Sequence, residues 1–528
     1  MGRVPVAPDA GSRGPLGRSA YHARMSVDQD VMALHERTRE LAALRGAADL
    51  MNWDQMTHMP RGGGATRGAH GAVVSRLLHE RLVDPGLRTL LERLRGAASD
   101  LDPLVSDEVT VLADDVERAA RYPSALVSEV VEHGSKCFEA WRVARERDDF
   151  GVVAPLMERS LELTQRLVAC HGEAEHPADP FIDMADPGMR VAELQPLFAD
   201  LRAALVPLVD AVAEQGEPRP MLPVAGREEA QLALALRLAT DLGYDTQRGR
   251  LDLAPHPFAI RIGHGDVRIT TRLDPHDLQE VLFSTVHEVG HALYEQGLAD
   301  ALDGTTLASG VSAGVHESQS RLLENLVGRS RAYWRYATPL VRQAFPELDH
   351  LDAEAAYRAV NRVRRSLIRT DADELTYNLH VIVRFDLELA LLAGELTVRD
   401  LPEAWNERYR ADLGVTPNGD ADGVLQDLHW YGGVIPGHFQ GYTIGNVLSA
   451  AVFAAARAAL GDLDDQIAAG DFAPLRAWLR EHVHAHGRRY APNALIERVT
   501  GAPLRVEPYL AYLRSKYLDD VALHAVNA

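Results

Sequence analysis

Cysteine is nearly missing from this chain: Cys137 and Cys170 are the only two in 528 residues. They cannot build a disulfide framework or a cysteine-based zinc site, and such scarcity fits a reducing, cytoplasmic setting. Lysine is equally scarce, with Lys136 and Lys516 alone, so arginine carries the positive charge. That charge is itself in deficit, since 55 Lys and Arg face 76 Asp and Glu for a formal net charge of −21. A field of that sign repels phosphate backbones and anionic lipid, which argues against nucleic acid or membrane as partners. No uninterrupted apolar run reaches the ~18 residues of a membrane-spanning helix. Residues 1–24 lack the apolar core of a secretory signal. Rich in Gly, Pro and Arg without periodicity, they read as a disordered extension ahead of one helical domain over 25–528.

What the sequence does have is helical periodicity. Within 30–50, Val31, Leu34, Leu41, Leu44 and Leu50 recur at spacings that keep them on one helical face. Similar patterns predict helices over 194–214, 352–368 and 375–392, and the alanine-rich stretch 450–460 adds another. Pro and Gly punctuate these segments, as at Pro187 and Gly188 and again over 216–223. No fixed-period repeat supports a solenoid. One stretch departs from the helical pattern. In 256–274, Phe258, Ile260 and Ile262 alternate with Ala259 and Arg261, and beyond two glycines Val267 and Ile269 alternate with Arg268 and Thr270. This is the period of a β-hairpin, and it predicts a small sheet that positions something beside it.

Directly afterwards, Asp274 and Pro275 read as the N-cap and first residue of a helix ending near Gly297. Leu282, Val286, Val289 and Leu293 give that helix an apolar stripe, and it carries His287, Glu288, Val289, Gly290 and His291 in succession. Side chains four apart stack on one face, so both imidazoles can reach one ion while Glu288 meets a water beside it. Zinc lowers the pKa of such a water to ~7, and the carboxylate takes its proton as it attacks a carbonyl. Two histidines do not complete a site. Glu317, 26 residues after His291, offers a third ligand on a segment marked by Val315, Leu322 and Leu326. A His₂Glu set leaves one coordination position open, the mark of a catalytic zinc site. The residues alone also allow a blander reading, with two solvent-facing histidines and a surface carboxylate.

Further motifs lie apart from this one. Upstream come Asn52, Trp53, Asp54, Thr57, Met59 and Pro60, and the hairpin holds Asp266, Arg268 and Thr270. Downstream come His316, Glu317, Ser318 and Gln319, then Ile368, Arg369, Ala372 and Asp373, then Gly423, Gln426, Asp427, His429 and Trp430. In these the chain resembles the carboxypeptidase Taq family of HExxH zinc metallocarboxypeptidases, over essentially its whole length from residue 25. The resemblance implies a mainly α, two-lobed helical metallopeptidase with a deep active-site groove and a small sheet beside the zinc helix. It implies a homodimer that releases single amino acids from peptides with a free C-terminus, with broad specificity and poor tolerance of proline. It also implies one zinc ion per chain, replaceable by cobalt.

Carried onto this sequence, the resemblance makes His287, His291 and Glu317 metal ligands and Glu288 the general base and acid. Arg369 would grip the terminal carboxylate through the paired donors of its guanidinium. By residue type alone, Arg369 in a run with Arg362, Arg364 and Arg365 reads as a solvated basic face. His429 and Tyr442 are candidate donors to the oxyanion or the substrate backbone. Many members carry Gly-Tyr-Phe-Pro-Thr-Tyr after the His-Trp pair, whereas this chain has Gly437, His438, Phe439, Gln440, Gly441 and Tyr442. Tyr442 is the best-aligned phenol, and His438 is left open as sharing its role at the substrate. Asp266, Arg268 and Thr270 are expected to brace the hairpin against the zinc helix. The rival functions are an oligoendopeptidase or dipeptidyl carboxypeptidase on the same scaffold, or a helical metal-binding protein without catalysis. A cationic clamp near the metal separates the first pair, and the effect of Glu288→Gln separates the last.

Overall fold

Aspartate followed by proline starts two early helices, Pro85–Gly96 and Pro103–Arg121. Asp84 accepts from Leu87 N at 3.0 Å and Asp102 from Leu104 N at 2.9 Å, while each proline fills a position that needs no donor. Leu87, Leu90, Leu91 and Leu94 on the first, with Val109, Leu112 and Val116 on the second, close over Leu34 and Leu41 of the long helix Pro15–Thr57. Fully burying one such side chain is worth about 1.5–3 kcal/mol, so these helices hold a separate N-terminal lobe together by apolar contact. The computed structural model describes residues 15–213 and 222–525. Residues 1–14 of the expected extension, and most of the punctuation at 216–223, lie outside the described residues, while the first helix takes in 15–24.

A second, much larger apolar core unites the helices Val191–Val212, Leu278–Gly297, Tyr377–Ala393 and Gln440–Leu460. The last is long and apolar enough to cross a membrane by length and composition, yet 61% of its most apolar window is buried within the protein. The two lobes are tied by Arg488, whose Nη1 and Nη2 each donate to Asp115 at 2.8 Å.

The helix expected over 352–368 stops early, at Ala353–Val360. Asn361 ends it: its Nδ2 donates to Tyr357 O at 2.8 Å and to Arg329 O at 2.9 Å, and the chain then runs without helix or strand to Arg369. A cap built on a contact with residue 329 is invisible to local periodicity.

The hairpin is present as β2 (Ala259–Gly263) and β3 (Asp266–Thr271), paired antiparallel with a register shift between Arg261 and Gly263. A short strand β1 (Leu251–Leu253) joins β3 in parallel, giving the order β1-β3-β2. Val267 and Ile269 point into the core and are fully buried. On the other face, Arg268 donates to Asp266 at 2.8 and 2.7 Å and lies 4.1 Å from the Trp53 ring centroid. The Asp266–Arg268 pair therefore braces the sheet against the N-terminal helix, not against the helix Leu278–Gly297 as expected. The contact with that helix is made one residue past the motif, where Thr271 Oγ1 meets Ser284 Oγ at 2.7 Å and Thr285 Oγ1 at 3.0 Å.

The N-cap of that helix is Asp277, accepting from Gln279 N at 3.1 Å, and not Asp274. The Pro275 and His276 carbonyls accept from Gly226 N and Val224 N instead, which holds those two residues in a bend ahead of the helix.

Candidate metal centre and active site

His287 and His291 project from one face of the helix Leu278–Gly297 with ring centroids 4.9 Å apart, while Val286, Val289 and Leu293 bury the other side. The helix Ala313–Arg321 crosses at Gly290, where a Cβ would lie 2.4 Å from Ser320 Cα and 2.5 Å from Gln319 O. Only a residue without a side chain permits that approach. Gly445 does the same from the helix Gln440–Leu460: a Cβ there would lie 2.5 Å from Glu317 Cγ. Ser312 caps the crossing helix by accepting from Val315 N at 3.2 Å, and buried Asp186 accepts from Gly314 N at 2.7 Å. Glu317 is thus delivered between two glycines onto the histidine pair.

Glu317 Oε2 lies 3.7 Å from His287 Nε2 and 3.4 Å from His291 Nε2. Ligands at about 2.0–2.1 Å from a tetrahedral zinc ion would be roughly 3.4 Å from one another, so the donor atoms already have the spacing of a shared ion. The other carboxylate oxygen is occupied: Oε1 accepts from Arg321 Nε at 2.7 Å. Burial opposes ionisation of Glu317, but Arg321 and the imidazoles outweigh it and hold the carboxyl well below the ordinary range.

The imidazoles are oriented from behind. His287 Nδ1 meets Glu324 Oε2 at 2.9 Å, and His291 Nδ1 meets His316 Nδ1 at 2.6 Å. His316 Nε2 in turn meets Glu295 Oε1 at 2.9 Å. With both Nε2 atoms turned toward Glu317, the network assigns protons to the Nδ1 atoms of His287 and His291 and to Nε2 of His316. Such outer partners fix the tautomer of metal-binding histidines. Glu324 lies on a π-helical turn, Leu322–Val327, that continues the Glu317 helix. Burial works against its ionisation, yet Arg321 and His287 bring it down to about 2. Burial also lowers His291 to about 4, leaving the neutral imidazole that a metal ligand must be.

Glu288 is only 5% exposed, and among the described residues nothing donates a hydrogen bond to it. Burial pushes its carboxyl up to about 7, with Glu317 and Glu324 adding to the rise against His287. A carboxyl poised there can take and return a proton near neutrality.

Arg369 is not the solvated cation its neighbours in sequence suggest; it is 7% exposed. Its Nε and Nη2 donate to Asp427 at 3.2 and 2.8 Å, and Nη1 donates to Tyr377 Oη at 2.9 Å. Of the five N–H donors of a guanidinium, one on each Nη remains without a partner among the described residues, available to a carboxylate. Fully buried Arg384 shares Asp427 at 2.5 Å, and Gln426 Oε1 accepts from both Arg369 N (2.9 Å) and Arg384 Nη2 (2.7 Å). Gln426 and Asp427 hence hold the arginine in place. The guanidinium of Arg321 lies 4.3 Å from the Tyr377 ring centroid, so one chain of contacts joins Glu317 to Arg369.

Tyr442 lies over Arg369, 5.2 Å from ring centroid to guanidinium carbon, with its Oη 3.3 Å from His429 Nε2. Burial lowers His429 to about 4, against Asp427, so its imidazole is neutral. His438 is not brought to this pair. Its backbone is left-handed (φ 55°) and the backbone of Phe181 meets its imidazole, which leaves Tyr442 as the phenol beside His429.

Sequence reasoning missed Glu324, Glu295, His316 as an orienting group, and Arg321. Glu324 follows Glu317 by seven residues, a two-turn repeat that could have signalled a shared face. Glu295 could have been found the same way, one turn past His291.

Comparison with known proteins agrees with the geometry. The carboxypeptidase Taq (M32) metallopeptidase family matches residues 33–517. Thermostable carboxypeptidase 1 of Thermus thermophilus is 44% identical over 507 residues, covering 93% of this chain and 99% of that protein. Carboxypeptidase 1 of Bacillus subtilis is 37% identical over 474 residues, covering 89% and 94%. The crystal structure of the M32 carboxypeptidase from Deinococcus radiodurans superposes with a TM-score of 0.90 at 49% identity, covering 93% of this chain and 99% of that one. With its three-ligand centre and helical scaffold, the chain belongs to the carboxypeptidase Taq (M32) family and is a metallocarboxypeptidase.

Proposed function

We propose that this enzyme is a zinc carboxypeptidase that removes one residue at a time from the free C-terminus of peptides. The observation that carries this reading is the convergence of the His287, His291 and Glu317 donor atoms, all within 4.8 Å of one another, beside the buried Glu288. The donor set of two imidazoles and one carboxylate suits zinc, and cobalt would be accepted by the same ligands. When bound, zinc supplies Lewis acidity and an acidified water.

The protein's own groups do the rest. Arg369, with one free N–H on each Nη, binds the terminal carboxylate and so fixes which amide reaches Glu288. Glu288 accepts the proton of the attacking water and returns it to the departing amine. Tyr442 Oη and His429, neutral and 3.3 Å apart, donate to the charge that develops on the carbonyl oxygen. His438 has no part in this step. Asp427 and Arg384 keep Arg369 immobile, which lowers the ordering cost of gripping a flexible peptide end.

The partners are peptides, and neither nucleic acid nor membrane. Both cysteines are free thiols, which supports a cytoplasmic setting. The family resemblance supports a homodimer, with residues 25–528 acting as one helical unit. Stripping the protein with a chelator is expected to abolish hydrolysis, and about one equivalent of zinc per chain should restore it. Full activity in metal-free protein, verified by elemental analysis, would refute the reading.

A further inference from the structure

His429 and Tyr442 have little to anchor them directly. Among the described residues, the only side-chain hydrogen bond of either is the one they share. The other ring nitrogen of His429, Nδ1, is buried without a hydrogen-bond partner, with Asp427 Oδ1 standing 3.6 Å away. Their placement is therefore set by the backbone that carries them and by packing, as where the His429 ring lies 4.5 Å from the Phe439 ring centroid. One buried carboxyl closes that backbone. Glu388 Oε2 accepts from Trp430 Nε1 at 3.1 Å and from Gly437 N at 2.9 Å. Trp430 follows His429 in the chain and Gly437 stands five residues before Tyr442, so a single oxygen ties both ends of the excursion 430–437. Gly437 also packs onto His429, since a Cβ there would lie 2.8 Å from His429 Cβ.

Glu388 stands on a helix that already serves the clamp. Tyr377, Arg384 and Glu388 follow at spacings of seven and four, which places them on one face of the helix Tyr377–Ala393. Tyr377 accepts from Arg369 at 2.9 Å, and Arg384 donates to Asp427, the counter-charge of Arg369. Arg384 and Glu388 are one turn, about 5.4 Å, apart along the axis. The same rigid face thus supports both the grip on the terminal carboxylate and the pair assigned to the carbonyl oxygen.

We infer that Glu388 is a positioning residue for catalysis: by closing the 430–437 segment onto the clamp helix, it fixes where His429 and Tyr442 stand relative to Arg369. The inference rests on the role proposed above for that pair. Glu388 is almost fully buried, and among the described residues no cation pairs with it. Burial pushes its carboxyl up to about 8 against its two N–H donors, so near neutrality it is mostly the uncharged acid, with the proton on Oε1. Glutamine has the shape of that acid, and its amide oxygen can accept both bonds. Alanine leaves two buried donors unpaired and the segment untied.

The experiment is a double-mutant cycle on zinc-loaded protein, with parent, Tyr442→Phe, Glu388→Ala and the double variant acting on an unmodified peptide. Tyr442→Phe should cost about 10²-fold in kcat, as removal of an oxyanion donor does. Glu388→Ala should cost about tenfold in kcat with KM little changed, but less than about threefold when Tyr442→Phe is already present, because the group it positions is gone. Glu388→Gln should restore most of the kcat lost in Glu388→Ala. Trp430→Phe, which deletes one of the two donors, gives the same cycle if Glu388→Ala does not fold. Equal losses in both backgrounds would overturn the assignment. Hydrogen exchange over 429–442 in Glu288→Gln protein reads the anchor without turnover, and Glu388→Ala should speed it by about tenfold or more. Unchanged exchange would overturn the assignment as well. Faster exchange together with full kcat in Tyr442→Phe would uphold the anchor and count against the oxyanion reading alone.

Discussion

Glu288→Gln protein is expected to hold its zinc and lose about 10²–10⁴-fold in kcat, the range of general acid–base catalysis. The substitution keeps shape and removes only the ability to carry a proton. It is well suited to this position because the carboxyl is 5% exposed and already raised to about 7 by burial. A neutral amide in its place therefore resembles the protonated form that the site tolerates. The ligands are untouched, since Glu317 is held through Arg321 and the imidazoles through Glu324 and His316. Single-turnover kinetics with elemental analysis of the same sample separates loss of chemistry from loss of metal. Retained turnover in zinc-loaded Glu288→Gln would remove the residue from the mechanism.

Arg369→Ala is expected to lower kcat/KM for free-carboxylate peptides by about 10²-fold or more, as truncating one partner of a buried charged contact costs about 2–5 kcal/mol. Zinc content should not change. The fold should also survive, because Asp427 keeps fully buried Arg384 at 2.5 Å as its counter-charge. The diagnostic comparison is with a C-terminally amidated peptide. Parent enzyme should distinguish the free and amidated forms strongly, and the variant should nearly lose that distinction. Arg369→Lys should not restore it, since an ammonium cannot present two parallel donors while also holding Asp427 and Tyr377. An unaltered preference for the free carboxylate would shift the clamp to another residue.

Both effects trace to parts of the site that were unequally legible in the sequence. The His287–His291 pair and Glu288 could be read directly, because a helix places residues four apart on one face whatever surrounds it. The β2–β3 hairpin was equally plain from its period of two. Glu317 needed more than periodicity. It reaches the histidines only because Gly290 and Gly445 let two helices pass at backbone distance, and a lone glycine in a helix announces no such crossing. Arg369 was misleading by composition, since its neighbours are arginines, yet Asp427 lies 58 residues downstream and decides that it is buried. β1 is three residues long and pairs in parallel with a later strand, so no local alternation could expose it. Helix ends at Asp277 and Val360 were set by long-range hydrogen bonds to 222–226 and Arg329, outside any window of local pattern. Local chemistry was readable, and whatever depended on chain crossings was not.

The most direct test follows products and not rates alone. An unmodified peptide and its C-terminally amidated twin are incubated with protein carrying one equivalent of zinc, and all fragments are identified by mass spectrometry over time. Successive loss of single residues from the free C-terminus, with the amidated twin left whole, is the expected record. Internal cuts, release of dipeptides, or equal digestion of both peptides would contradict the account.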